Sequence, residues 1–290
     1  MSSYQKDKKR SSLHLAKRSP KLLSKILGFI GLVVALIFLG FPIFWLLLTA
    51  FKYPRDAFST NLLFEPTLQN FQTIFSDPQN FAPLILNSAI VSVATVAIAV
   101  PIATLSAYAF SRYQIPGKTA LMVWVLSSQF LPPVTIALPF FILFANVGLL
   151  DTRIGLIILN ISITLPFAIW MVKGFIDGLP VEIEEAALID KASRLQLLRY
   201  ITFPLIMPGV IAAGIFTFIL AWNEFLFALV ISQNDVKTLT IGLTALGTSV
   251  QGTLWTQMAA AGLIIMVPIF ILSVTIRQYF VRGITMGAIK

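Results

Sequence analysis

Six long apolar runs, separated by short polar stretches, make up most of this chain: roughly residues 26–51, 84–111, 119–149, 154–175, 204–231 and 258–281. Each matches or exceeds the ~20 residues that a helix needs to cross ~30 Å of hydrocarbon. No segment shows the polar/apolar alternation of a membrane barrel, and helices are the other structure that satisfies every backbone group in lipid. The pattern predicts an all-α integral membrane protein with six transmembrane helices. Three polar stretches are long enough to carry structure of their own. In 52–83, an apolar stripe at Leu68, Phe71, Ile74 and Phe75 has the spacing of a short surface helix. Residues 232–257 are rich in Gln, Asn, Thr and Gly, with Trp255 placed as an interface anchor at the membrane return. Residues 179–203 are charged and amphipathic and predict two short helices.

Prolines interrupt the spans: Pro132, Pro133 and Pro139 in the third, and Pro42, Pro101, Pro166 and Pro268 in the first, second, fourth and sixth. Each removes a ladder hydrogen bond and kinks its helix. Two readings stand for such kinks: a water-accessible pathway, or the general frequency of proline in membrane helices.

Charge orients the spans. Of 21 Lys and Arg, eight precede the first span, two (Arg112, Lys118) lie between the second and third, four (Lys173, Lys191, Arg194, Arg199) flank or occupy the stretch after the fourth, and three (Arg277, Arg282, Lys290) close the chain. The other side holds four: Lys52, Arg55, Arg153 and Lys237. The positive-inside rule then puts both termini in the cytoplasm. The net charge of +9 reads as topology and an anchor on anionic lipid, not as a nucleic-acid site. The run 26–51 is too long for a signal-peptide core, and Phe51-Lys52-Tyr53 is no small-residue cleavage site. It is expected to remain as the first span.

Several chemistries are excluded. The chain has no cysteine and one histidine, His14, in the basic tail of residues 1–25, so no thiolate site, His-based triad or metal centre is expected. Gly117-Lys118-Thr119 imitates the end of a phosphate-binding loop, but the required earlier glycine is Arg112. The chain is expected to have no catalytic residue and to bind no ATP.

The stretch 179–203 is the most specific feature. Pro180 stands at or near the first position of a helix, where its missing N–H does no harm. Glu182, Glu184 and Glu185 favour the positive end of that helix. Ser193 and Gln196 have capping-box spacing for a second helix, and Leu195, Leu198 and Ile201 suggest its apolar face. Glu185-Ala186-Ala187-x-x-Asp190-x-Ala192 then stands twelve residues before Pro204 and sixteen before Pro208. This resembles the EAA motif of permease subunits of binding-protein-dependent ABC importers. Trp222-Asn223-Glu224-Phe225 and the tail Arg282-Gly283-Ile284-Thr285-x-Gly287-Ala288-x-Lys290 resemble the carbohydrate, maltose-type branch. Span count, length and motif order extend the resemblance over essentially the whole chain. One departure is Lys191, where the family usually has Gly. Either the turn keeps a positive φ with Lys, at about 1 kcal/mol of strain, or the first helix runs on.

The resemblance implies the type I importer permease fold, divided into a cytoplasmic tail (1–25), a first helix with its external segment (26–83), a core (84–281) with the coupling loop 179–203, and a C-terminal tail (282–290). It implies that Glu185, Ala186, Ala187, Asp190, Lys191 and Ala192 form the coupling helix seated in a cytoplasmic ATPase. It also implies that Gly283, Thr285, Gly287 and Lys290 reach that ATPase. The implied partners are a second, homologous permease, two ATPase subunits that hold ATP and Mg, an extracellular or periplasmic sugar-binding protein, the sugar and the bilayer of a bacterial or archaeal cytoplasmic membrane. The implied sugar is a di- or oligosaccharide or a related glycoside. A permease for another substrate class and a secondary transporter are the competing readings.

Glu224 is the one acid that falls well inside an apolar run, and Asn223 beside it adds donors and an acceptor. Intramembrane carboxylates face cavities or partners. Asn223 and Glu224 are therefore candidates for the substrate pathway, with Trp222, Phe225 and Phe227 as rings for sugar faces. A buried hydrogen bond to the partner permease is the competing reading. Asn87, Gln129 and Asn160 are further pathway candidates.

Overall fold

The computed structural model describes residues 19–76, 78, 80–247 and 254–287, with side chains between 24 and 275. Residues 1–18 of the basic tail, with His14, and residues 288–290, with Lys290, lie outside the described residues, whereas residues 19–25 of the expected tail already belong to the first helix. The long helices are α1 (Ser19–Ala50), α3 (Phe81–Arg112), α6 (Arg153–Asp177), α9 (Phe203–Trp222) and α12 (Trp255–Gly287). Shorter ones are α2 (Gln69–Phe75), α4 (Lys118–Ser127), α5 (Pro133–Asn146), α7 (Val181–Ile189), α8 (Arg194–Leu197), α10 (Leu226–Ile231) and α11 (Leu239–Gly247). All regular elements among the described residues are helical.

The core is α3, α6 and α9, each packed on the other two. Small residues bring them close, as is usual for helices in lipid. Ala99, Ala103 and Ala107 recur every fourth residue on α3 and are fully buried, as is Ala168 on α6. Gly209 on α9 lies so near α6 that a Cβ there would be 2.2 Å from Cγ of Phe175. In contrast, α1 rests on α12 and exposes apolar residues on nearly every turn. A helix apolar all round belongs in a membrane.

The third apolar run is not one kinked helix. At Pro132-Pro133 the chain turns 95° between α4 and α5. A 3₁₀ turn (Ser128–Phe130) precedes extended Leu131, because the residue before a proline avoids helical backbone. The bent pair still crosses from one side to the other. Arg112, ending α3, bonds the carbonyls of Ile176 and Leu179 at the end of α6. Arg153, starting α6, bonds Asn87 near the start of α3. The two helices are therefore parallel, and the chain between them must return across the bilayer through α4 and α5. That makes six crossings among the described residues.

Two further boundaries differ from the sequence reading. The fifth run stops at Trp222, and α10 is a separate helix. The last run continues as helix to Gly287, so Gly283, Thr285 and Gly287 extend α12 instead of forming a separate tail. The stripe in 52–83 does form a surface helix, α2, with Ile74 buried but Leu68 and Phe75 largely exposed. Asn70 on α2 caps the end of α1 by donating to the carbonyls of Ala50 and Lys52.

Candidate functional site

The charged loop folds as two helices at one end of the bundle, here called the motif end. Pro180 is the N-cap residue of α7, with Glu182 and Glu184 in the first turn. The helix closes by two reaching-back bonds, Ala192 N–H to Ala187 O and Lys191 N–H to Leu188 O. This is the Schellman pattern, which calls for a left-handed residue at its centre. Lys191 takes that place at φ 62°. The turn keeps the geometry that a glycine would adopt, and α7 does not run on. Ser193 Oγ then accepts from Gln196 N–H while Gln196 Oε1 accepts from Ser193 N–H, completing the expected capping box.

Helical periodicity divides the motif between two faces. Glu182, Glu185, Ala186 and Asp190 are exposed. Ile189 stands among them, 80% exposed. Ala187 faces the other way and is buried with Val172, Ile176 and Leu197 in the core cluster. Ala187 thus lies in the expected helix but on its inward face. The apolar face expected of the second helix also shifts. Leu198 and Ile201 pack on the core cluster as expected, but Leu195 is 73% exposed and Leu197, not expected, is fully buried; Leu198–Thr202 form a π-helical turn. Sequence reasoning missed Ile189 and Leu195 as outward apolar residues. It also missed the inward partner of the loop. Glu184 is buried and accepts from Arg112 Nε and Thr202 Oγ1, both at 2.8 Å.

The pathway candidates are scattered at or beyond the middle of the bundle, toward the far end. Glu224 lies in the break between α9 and α10, where its carboxylate accepts from the N–H groups of Phe227 and Ala228. It thus caps α10, although the sequence placed it within a continuous span. Asn223 is exposed and donates to Ile219 O. Trp222 and Phe227 are buried in the protein's own core. Trp222 donates to Ile265 O on α12 and stacks on Phe218, so these two rings are not free for a sugar. Asn87 is buried between Arg153 and the Lys237 carbonyl. Asn160 is buried and bonds within its own helix. Gln129 is exposed at the bend and bonds Ile163 O.

Asp151, at φ 53°, had no sequence signal. Its carboxylate gathers the N–H groups of Gln233, Asn234, Asp235 and Val236. Burial alone would raise its pKa, but these four donors hold it at about 2. The far-end loop is pinned further by Ser88 to Leu239 N–H and by Thr240 to Glu224 O.

At the motif end, a cleft of about 1330 Å³ opens between α4, α6, α7 and α9, lined by Lys118, Met122, Trp170, Lys173, Ile183 and Leu205 among others. None of the pathway candidates lines it. Among the described residues, no three His, Asp or Glu side chains are grouped to hold a metal.

Residues 99–286 match the family described as binding-protein-dependent transport system inner membrane component. The trehalose/maltose transport system permease protein MalG of Thermococcus litoralis is 31% identical over 274 residues, covering 93% of this chain and 98% of its own. The diacetylchitobiose uptake system permease protein DasC of Streptomyces coelicolor is 32% identical over 262 residues, covering 89% and 94%. Among solved structures, a bacterial ABC transporter involved in the import of the acidic polysaccharide alginate superposes with a TM-score of 0.74 at 20% identity, over 91% of this chain and 98% of that one. The family match and these relatives define an ABC importer permease, a multi-pass membrane subunit and not an enzyme, and the solved structure shows the same type I fold. The chain belongs to the binding-protein-dependent transport system inner membrane component family.

Proposed function

We propose that this chain forms half of the translocation pathway of an ATP-driven sugar importer and receives the ATPase stroke through α7. The outward face of α7 carries the reading: Glu182, Glu185 and Asp190 surround an exposed Ile189 beside the small Ala186. An apolar anchor with an acidic rim fits a groove that has an apolar floor and basic edges. Lys191 and Ala192 set the turn that ends this face. Two ATPase subunits hold ATP and Mg below two permeases, and a sugar-binding protein delivers from the opposite side. The names of MalG and DasC support a di- or oligosaccharide or a related glycoside as cargo. The excess of Lys and Arg at the motif end supports a cytoplasmic position for α7 and for both termini. Asn223 and Glu224, with Asn87, Gln129 and Asn160, remain the proposed polar lining. Asn223 and Gln129 are the two that are exposed in the isolated chain. The end of α12 and residues 288–290 are proposed to approach the ATPase.

The experiment is a mild-detergent pull-down of the tagged chain from its host, with Glu185→Lys beside it. Recovery of a second permease and an ATPase, with the ATPase lost from the variant, is expected. A chain that emerges alone in every detergent, or an ATPase unaffected by the variant, overturns the coupling assignment.

A further inference from the structure

One ion pair is buried at the motif end. Arg112 is the last residue of α3, and Glu184 is the fourth residue of α7. Their side chains are 9% and 6% exposed, and Arg112 Nε lies 2.8 Å from Glu184 Oε2. The same guanidinium donates through Nη2 to Ile176 O at 3.0 Å and Leu179 O at 3.3 Å. The other carboxylate oxygen accepts from Thr202 Oγ1, a fully buried hydroxyl at the last position of the π-helical turn. One charged unit thus joins the ends of α3 and α6, the coupling helix α7 and the entry to α9. Apart from it, the ion pairs seen among the described residues, Arg55 with Asp56 and Lys173 with Asp177, are more exposed.

Stability is a weak reason for such a pair. Desolvation of two charges largely cancels their attraction, and well-packed apolar residues often do as well. What a hydrogen-bonded charge pair adds is geometry: fixed atoms at fixed distances, resisting slip in directions that apolar contact does not. The other inward contacts of α7 are slight, since Ala187 is small and Leu188 only partly buried.

We propose that Arg112, Glu184 and Thr202 form a transmission clasp that makes α7 and the adjoining ends of α3, α6 and α9 move as one body. Displacement of α7 by the ATPase then reaches the core helices instead of being absorbed by the loop. This role rests on the coupling assignment of α7, but it places the transmitting residues on the face turned away from the ATPase. All three are positioning residues that act through the helices they join.

The test uses the full complex, with second permease, ATPases and binding protein, in proteoliposomes. Sugar delivered and ATP hydrolysed are both measured for Arg112→Met, Glu184→Gln, Arg112→Lys and Thr202→Val. The ATPase should stay bound and substrate-stimulated hydrolysis should persist. Sugar delivered per ATP should fall by about tenfold in the first two variants and by about threefold in the milder two, within the range expected along a coupled joint. An unchanged ratio, whether transport is intact or falls in step with hydrolysis, overturns the clasp. Should Arg112→Met or Glu184→Gln fail to insert, the ratios of the milder variants decide. Glu185→Lys separates the two ideas. Retention of the ATPase in that variant removes the coupling assignment, whereas its loss together with an unchanged ratio in the clasp variants removes the clasp alone.

Discussion

Asp151 stands between α5 and α6 with a backbone that few side chains accept, and it holds four consecutive amides of the loop after α10. Its pKa falls from an ordinary 3.8 to about 2, so the folded state favours the carboxylate. The contribution is complete above pH ~4 and is lost as the pH falls toward ~2. The shift corresponds to at most about 2.5 kcal/mol, and solvent screening at this partly exposed site reduces it to about 1 kcal/mol. Asp151→Asn should keep the backbone, since Asn tolerates positive φ, but forfeit the charge-assisted bonds. Thermal melts of the purified protein should show about 1 kcal/mol lost at pH 6 and a smaller difference near pH 2. An equal loss at both pH values would mean that the charge is not what holds the loop. Neighbouring residues show how far the sequence was legible at this scale. The spacing of Ser193 and Gln196 announced their capping box, and the departure at Lys191 marked a turn that does take the left-handed form. Yet Glu184 and Glu185 are chemically alike, and only the position of α7 against Arg112 buries one and exposes the other. Asp151 gave no warning because its partners lie about 80 residues away.

Elements show a different division. Hydropathy counts the apolar stretches but does not register backbone breaks within them. The double proline at 132–133 was visible, and its physical consequence is a 95° turn rather than a kink. The break at Asn223 was hidden inside a continuous apolar run. Its signal was Glu224 itself, an acid that satisfies the free N–H groups at the start of α10. The close packing of α6 on α9 was half visible. Alanines and glycines recur in the sequence, but which glycine meets which side chain depends on helix rotation. Gly209 meets Phe175, and the nearby atoms include Phe175 Cβ, 2.8 Å from where a Cβ would stand. That atom is tied to the backbone and cannot swing clear. Gly209→Val should therefore force the helices apart and cost about 1–3 kcal/mol, read as a lower melting temperature in detergent. Adding Phe175→Ala should recover part of that loss, since contacting sites couple. Additive losses in the double variant would show that the crossing is not tight there.

At the scale of the whole molecule, helix direction and charge fix topology together. The parallel arrangement of α3 and α6 follows from two contacts at opposite ends: Arg112 on Ile176 and Leu179, and Arg153 on Asn87. If the bent α4–α5 pair entered and left on one side, α6 would have to run against α3 and neither contact would form. The pair is therefore a crossing, the count is even, and the first and last described helices have their outer ends on the same side. Charge then decides which side that is. The natural absence of cysteine makes the argument testable one residue at a time with a membrane-impermeant thiol reagent on intact cells. Asn61→Cys and Asn146→Cys, both at exposed positions, should label from outside. Gln114→Cys and Lys118→Cys, also exposed, should label only after permeabilisation. If Gln114 and Asn146 labelled from one side, α4 and α5 would form a re-entrant loop and the termini would be separated by the membrane. If all four reversed, the crossings would stand but the motif end would be external, where no ATP-driven partner could reach α7.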